Sequence, residues 1–380
     1  MIKTSILDAT KLQSFTKAHK LQPFRVKQIY QEIFKNQNIN FADMTTLSKD
    51  LREDLDKEFS VVTLKVDKIL EDETSTKIGF QTHDGFMIEA VILYHRHKEV
   101  EGRKYNEKGN IPPSTSHLPR ELSRITLCVS SQVGCPMGCL FCVTGKLGFK
   151  RNLTRDEMIS QIFYANNYIK NKFGKQEDGS LYGVRNVVFM GMGEPLLNYE
   201  NVKKAIEIML RQEAGFSLSR RHITISTAGI IPGIRQLIKD EIPVKLAISL
   251  HAPNQALRDK LMPIAKAYPL EALNKALSEY VKASDNRIFY EYIMIKNVTD
   301  KPELAKELVT MLRKKLAHVN LIPYNTNPAI NLIESDTAAI QSFKKILEEG
   351  GLTVTVRDSL GRSMKGACGQ LGYEKLVKSE

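Results

Sequence analysis

The sequence predicts an α/β protein, a partial (β/α)6 barrel carrying a small N-terminal helical domain and a β-extension. Three observations lead there. Apolar residues repeat with a helical period before residue 60 and with a strand period over 61–94; from 124 onward short apolar strands alternate with amphipathic helices. Alternating strand-helix units imply a parallel sheet, and six of them curve into a partial barrel with its chemistry at the C-terminal strand ends.

Residues 1–60 form the helical domain. In PFRVKQIYQEIF, Pro23 to Phe34, the side chains of Val26, Ile29, Tyr30 and Ile33 share one face, and a second helix follows over about 47–59. Residues 61–94 read as three strands with a hairpin turn at His83-Asp84-Gly85. In the last strand Phe86, Ile88, Ala90 and Ile92 line one face and Met87, Val91 and Leu93 the other, which Glu89 interrupts. A carboxylate there is either an edge charge that discourages strand pairing or a buried functional acid, and the residues alone favour the edge charge.

Residues 95–123, polar with proline and glycine, read as a mobile linker. The barrel is expected over 124–358, with strands at 124–130, 185–192, 221–227, 244–250, 287–295, 317–323 and 352–356. Thr154 and Glu157 open a helix with a capping-box pattern, its apolar face carrying Ile159, Ile162, Phe163 and Ile169. Further helices are expected at about 200–212, 270–283, 302–315 and 337–349, the last ending at Gly350-Gly351. Residues 359–380, with a serine and glycines near their start, read as a mobile C-terminal segment.

The 380 residues, 42% hydrophobic and 26% charged, suit a soluble globular protein with a sizeable core. No stretch approaches the roughly 18–20 apolar residues of a membrane span, and the first residues lack the apolar core of a secretory signal. A cytoplasmic location without a membrane partner is therefore expected. Five cysteines, four of them between 128 and 142, do not resemble a secreted disulfide framework. The net charge of +12 implies a polyanionic partner, with an ordinary basic enzyme as the alternative.

Cys135, Cys139 and Cys142 follow C-x3-C-x2-C spacing on a loop after the first barrel strand. Three thiolates do not close a tetrahedral zinc site, whereas an iron-sulfur cluster held by three cysteines leaves one iron open. The alternatives are a zinc site completed by Cys128 or a histidine, and buried structural thiols. Zinc sites pair their cysteines as two short units, and structural thiols do not cluster beside Gly134, Pro136 and Gly138. Polar turns follow the later strands: Gly191 to Pro195, Ser226 to Gly229, Ser249-Leu250-His251 and Pro323-Tyr324-Asn325. Together they imply one shared small-molecule pocket.

The cysteine loop resembles the radical S-adenosylmethionine (SAM) superfamily. CVSSQVGCPMGCLFC, GMGEPLLN (191–198), STAGIIPGI (226–234), SLHAPN (249–254), IPYN (322–325) and ACGQL (367–371) together resemble the RlmN/Cfr family of RNA adenine methyltransferases, over about residues 20–373. The resemblance implies that Cys135, Cys139 and Cys142 hold a 4Fe-4S cluster whose open iron chelates SAM. It implies that Gly193, Glu194, Ser226, Ser249, Leu250, His251 and Asn325 hold the rest of SAM, and that two SAM are used per turnover. Cys368 is then the cysteine that is methylated and donates the carbon, Cys128 the resolving cysteine and Glu89 the proton acceptor, which reverses the edge-charge reading.

Carbon 2 of adenine is electrophilic, so a polar methyl transfer from SAM has no nucleophile there; the radical route through a methylated cysteine that the resemblance implies does not need one. The resemblance further implies that Cys128 and Cys368 meet in the fold and form a disulfide that must be reduced after turnover. Its implied substrates are 23S rRNA and tRNA, at the adenine 3′ of the anticodon, with a flavodoxin- or ferredoxin-type electron donor and a monomeric enzyme. Arg151, Arg220, Arg221, Arg357 and Lys365 are candidates for phosphate contact; Arg25, Lys27, Lys35, Lys49 and Arg52 are either a solvated face or part of an RNA contact. The 95–123 stretch is longer than the family's usual link. GMGEPLLN and CVSSQVGC favour carbon 2 over a Cfr-like carbon 8 enzyme. A non-catalytic, metal-stabilised RNA-binding protein is the rival of another class.

Overall fold

The computed structural model describes residues 3–96, 122–176, 178–242, 244–357 and 360–372. At the N-terminus, α1 (Ala9–Ala18), α2 (Pro23–Phe34) and α3 (Lys49–Glu58) bury Leu12 and Phe15, Ile29 and Ile33, and Leu51 and Leu55 respectively, each pair three or four residues apart. Pro23 opens α2, where a missing N–H costs nothing. Phe59–Ser60 pairs in parallel with Thr4–Ser5 and closes this unit. Phe34 then meets Phe163 at 5.3 Å and Phe216 at 5.0 Å, tying the helical unit to the barrel. Each such buried ring contributes roughly 1.5–3 kcal/mol.

The rest is organised by one ten-stranded sheet: β1 (Lys65–Glu71), β2 (Ser75–Gln81), β3 (Met87–Arg96), β4 (Leu122–Cys128), β5 (Asn186–Phe189), β6 (Ile223–Thr227), β7 (Lys245–Ser249), β8 (Ile288–Met294), β9 (Ala317–Pro323) and β10 (Thr353–Val356). Neighbours in the sheet are neighbours in the chain. Strands β1 to β4 pair antiparallel and β4 to β10 parallel. Parallel strands that always add at the same edge send their crossover helices to one face, because such crossovers share one hand. Those helices are α4 (Arg155–Phe173), α5 (Tyr199–Leu210), α6 (Ile231–Lys239), α7 (Gln255–Leu261), α8 (Leu270–Ser284), α9 (Pro302–Leu312) and α10 (Thr337–Glu349). The opposite, inner face carries the site. In β6, Ile223 and Ile225 are buried under helices while Thr224 and Ser226 are only half-buried.

The expected α/β partial barrel is present, as six strand-helix units and a seventh parallel strand. The expected capping box is made: Glu157 N donates to Thr154 Oγ1 at 3.2 Å and Thr154 N to Glu157 Oε2 at 2.8 Å. Several details differ. Both ends of the expected linker belong to strands, since β3 runs to Arg96 and β4 begins at Leu122; residues 97–121 lie outside the described residues. β3 is an interior strand: Glu89 lies opposite Gly79 on one side, its carbonyl accepts from Ser130 Oγ at 2.6 Å on the other and its carboxylate pairs with Lys77, so the edge-charge reading of Glu89 is overturned. Arg220–His222 form a single 3-10 turn before β6 instead of the start of a strand. Helix α6 escaped the sequence reading because Pro232 and Gly233 look like a turn, yet Pro232 sits in the first turn, where it is tolerated. Among the described residues no helix is long and apolar enough to cross a membrane.

Candidate functional site

The loop after β4 is closed at its neck. Gln132–Gly134 pairs antiparallel with Phe149–Asn152, so the cysteines lie on a hairpin excursion beyond the strand end. Gly134 has φ +73°, and a Cβ there would lie 1.8 Å from the Gly148 carbonyl oxygen, so only glycine permits this neck. Within the loop Cys142 N donates to Cys139 O at 3.1 Å, and Leu140 N to Leu261 O at 3.0 Å, which seats the loop on α7. Burial raises the Cys139 thiol well above its usual range, and Cys142 and Cys135 add to the effect. Cys135 is pushed up to about 12, chiefly by burial, with Cys142 and Glu194 contributing. The three thiols thus share one electrostatic neighbourhood, in which Cys142 opposes the ionisation of Cys135 and both oppose that of Cys139.

Beside that loop the strand ends are stitched together. Glu194, buried after β5, accepts from Leu196 N at 3.1 Å and from Ala228 N at 2.7 Å, while its own N–H donates to Gln132 Oε1 at 2.8 Å. Burial raises its carboxyl to about 7 against these bonds. Its oxygens therefore brace two strand ends before any ligand arrives. His251 has φ +59°, and its Nδ1 accepts from Ile293 N at 3.2 Å, which fixes the neutral Nε2–H tautomer. Burial, then Arg258, lowers its pKa to about 3, and its ring meets Phe141 of the cysteine loop at 4.7 Å. Ser226 and Ser249 are half-buried at the ends of β6 and β7, whereas Leu250 is fully buried and donates to Glu291 O at 3.0 Å.

Three residues missed by sequence reasoning hold this frame. Fully buried Arg258 on α7 donates to the carbonyls of Ala228 at 2.7 Å, Leu250 at 3.3 Å and Ser249 at 3.4 Å. Gln132 links the loop neck to Glu194, as above. Lys77 on β2 pairs with Glu89 at 3.1 Å. A lone arginine in a short helix, a glutamine or a lysine in a strand carries no spacing signal. Arg151, a candidate for phosphate, is committed instead to Asp84 at 2.6 and 2.7 Å and to Glu157 at 2.8 and 2.9 Å.

The inner sheet face encloses a cavity of about 480 Å³. Val91, Cys128, Asn320, Asn325 and Cys368 are among its lining, so two cysteines 240 residues apart in sequence open onto one space. Cys128 is buried, and burial together with Cys368 drives its thiol far above the usual range. Cys368 is exposed where it lines this cavity, yet enough protein surrounds it that burial raises its thiol, which Arg357 partly offsets. All five cysteines are free, so the implied disulfide is not formed in this structure.

Residues 360–372 are docked rather than loose. Gly372 N donates to Glu89 Oε2 at 2.7 Å, Val143 N to Gly369 O at 2.9 Å and Thr144 Oγ1 to Leu371 O at 2.8 Å. Asn325 Nδ2 donates to Cys368 O at 3.2 Å while its Oδ1 accepts from Arg362 Nε at 3.1 Å. Residues 359 and 373–380 of the expected mobile segment, like residue 358 at the expected end of the barrel, lie outside the described residues.

Residues 129–309 match the radical SAM superfamily, which defines the class of enzyme: an α/β barrel with a three-cysteine loop at its strand ends. Residues 6–61 match the ribosomal RNA large subunit methyltransferase N-terminal domain. The chain is 42% identical over 348 residues to the probable dual-specificity RNA methyltransferase RlmN of Dictyoglomus turgidum, covering 92% of this chain and 90% of that one. It is 39% identical to the dual-specificity RNA methyltransferase RlmN of Psychrobacter arcticus, covering 97% and 88%. A crystal structure of a radical SAM methyltransferase from Sphaerobacter thermophilus superposes with a TM-score of 0.83 at 34% identity, over 97% of this chain and 99% of that one. The chain belongs to the RlmN family of radical SAM RNA methyltransferases.

That membership implies a 4Fe-4S cluster and SAM. Among the described residues no three His, Cys, Asp or Glu side chains are grouped as ligands of a single metal ion. A cluster asks for something else: sulfur donors, each on its own iron. Three free, adjacent, partly buried thiols on one closed loop fit that demand, and a cationic metal centre would remove the mutual penalty on their ionisation.

Proposed function

We propose that the enzyme methylates carbon 2 of adenine in 23S rRNA and in tRNA, at the adenine 3′ of the anticodon, through a methylated Cys368 and a covalent protein-RNA adduct. The observation that carries this is the shared cavity of Cys128 and Cys368; Cys142 of the cysteine loop is near enough to raise the Cys368 thiol, and Glu89 is tied to the segment carrying Cys368 through Gly372 N. Cys135, Cys139 and Cys142 hold the cluster; Gly193, Glu194, Ser226, Ser249, Leu250, His251 and Asn325 surround SAM, and two SAM are consumed per turnover.

Cys368 must first be a thiolate to displace a methyl group from SAM, leaving S-adenosylhomocysteine. Arg357 is the cation that favours that thiolate against burial. Held by Cys135, Cys139 and Cys142, the cluster would supply one-electron chemistry: an electron to a second SAM, whose fragment would take a hydrogen atom from the S-methyl group of Cys368, and an acceptor for the adduct's unpaired electron. The methylene carbon on Cys368 then bonds to carbon 2 of the base. Glu89, hydrogen-bonded and paired with Lys77, accepts the ring proton. Cys128, as the thiolate, attacks the sulfur of Cys368; the sulfur-methylene bond breaks with its electron pair on the methylene carbon, which takes up a proton to complete the methyl group, the methylated base leaves, and the disulfide is returned to two thiols by thiol exchange. His251, held neutral, presents an Nε2–H donor. The base enters unpaired or flipped, since the reacting sulfur lies inside a cavity.

The domains divide as a helical RNA-binding accessory unit (1–60), a β-extension (61–94), an insertion (95–123), the barrel (124–358) and the C-terminal carrier segment (359–380). The enzyme works in the cytoplasm as a monomer with a flavodoxin- or ferredoxin-type donor. Nucleoside mass spectrometry of 23S rRNA and tRNA from cells lacking the gene, and from complemented cells, tests the substrate. Loss and restoration of 2-methyladenosine is expected; unchanged 2-methyladenosine, or a gain of 8-methyladenosine, overturns the reading.

A further inference from the structure

The inner face changes character toward the N-terminal ends of the parallel strands. Arg124 on β4, Arg221 just before β6 and Lys245 on β7 line that end of a cavity of about 240 Å³, which shares Cys128 and Cys368 with the larger one and reaches Arg357 past the C-terminal end of β10. Its one acid, Glu291, is already held by Arg357 at 3.1 Å and by Asn320 at 2.8 Å. Among the described residues Arg124, Arg221 and Lys245 form no salt bridge. Burial, with Arg124 and Arg221, holds the Lys245 ammonium below its usual range, so these cations crowd one another without an anion. Phe289 stands among them, its ring 5.8 Å from Lys245 Nζ and 5.4 Å from the His318 ring. Arg124 and Cys128 point to the same face four residues apart, roughly 13 Å along a strand.

Cations that follow a strand's phosphates beside an aromatic ring on which a base can stack are the recurring elements of single-stranded nucleic-acid grooves. We propose that the cationic end of this cavity, formed by Arg124, Arg221, Lys245 and Phe289, is a phosphodiester subsite that holds the RNA nucleotides flanking the base delivered to Cys368. The subsite rests on the RNA-methylating reading above and names where that RNA is gripped. It lies on the inner face, whereas the helical N-terminal unit packs on the outer helices.

The test is equilibrium binding of a labelled single-stranded RNA oligonucleotide to the full-length holoenzyme across a salt series. Arg124→Gln, Arg221→Gln and Lys245→Gln each weaken binding roughly fivefold at 0.1 M salt and lower the slope of log affinity against log salt by about 0.7. Phe289→Leu weakens binding without changing the slope. Lys306→Gln, an exposed charge loss on α9, leaves both unchanged. Arg221 is exposed on a turn, so its variant carries the test should a strand variant fold poorly. The subsite is overturned if the three cation variants keep parental affinity and slope, or if Lys306→Gln loses as much as they do. Loss of affinity and slope in the three cation variants of an enzyme that forms no 2-methyladenosine refutes the methylation reading and supports the subsite.

Discussion

Asn325 donates its side-chain amide to the backbone carbonyl of Cys368 at 3.2 Å. The amide proposed to hold SAM is thus occupied by the residue proposed to receive the methyl group, and Arg362 takes the other end of the same side chain. Glu89 is held in the same way by Gly372 N. The C-terminal segment and SAM therefore share Asn325, whose amide keeps one N–H and one lone pair for the ligand beside the two contacts already made.

Asn325→Ala removes one anchor of residues 366–372. Losing a hydrogen bond of about 1 kcal/mol makes local opening roughly fivefold more frequent. Amide hydrogen exchange of Gly369 to Gly372 should accelerate by that factor; unchanged exchange contradicts the anchoring role.

Arg258→Met leaves the carbonyls of Ala228, Ser249 and Leu250 buried without their donor. Charged hydrogen bonds contribute about 1.5–3 kcal/mol each, so a loss of about 3 kcal/mol or more is expected in urea unfolding. SAM affinity falls with it, because the turns of β6 and β7 lose their common tie. A loss below about 1 kcal/mol would show that the arginine is not the brace.

Gly193→Ala meets two obstacles at once. Its φ is +103°, and the new Cβ would lie 2.5 Å from Gln132 Cβ at the neck of the cysteine loop. Strain and overpacking each cost about 1–3 kcal/mol, so a destabilisation of at least about 2 kcal/mol is expected, with lower iron and sulfide content on reconstitution. Full cluster loading at parental stability contradicts it.

His251 gives the stability a pH signature. Its pKa is about 3 in the native state and about 6.5 in the unfolded chain. Below about 6.5 the unfolded state takes up a proton that the native state refuses, so this contribution is full above 6.5 and is lost as pH falls toward 3. Glu194, raised to about 7 from about 4.3, acts with the opposite sign: its contribution is full below about 4.3 and is lost as pH rises through 7. In His251→Gln, urea midpoints should fall less steeply between pH 6.5 and 4.5 than in the parent; an unchanged acid limb would falsify the buried neutral histidine.

Much of the scaffold was legible because its signals are local. Seven parallel strands announce themselves as short apolar runs, and Thr154 and Glu157 sit three residues apart as a cap requires. The cysteine loop was legible for the same reason. What stayed hidden are contacts across sequence distance: Arg258 to Ala228, Lys77 to Glu89 and Asn325 to the C-terminal segment have no periodicity to betray them. Glu89 shows the limit well. Its polar interruption of an apolar face is equally the mark of an edge charge, and only the interior place of β3 and the contacts of Glu89 with Ser130 and Lys77 exclude that.

The most direct test uses the two cysteines themselves. Cys128→Ala holoenzyme is incubated with SAM, reductant and RNA, denatured, and examined for covalently bound RNA by gel and by peptide mass spectrometry. The account predicts an adduct that survives denaturation, mapped to Cys368, absent from Cys368→Ala and transient in the parent. Normal turnover by Cys128→Ala without an adduct, or an adduct on any other residue, contradicts it.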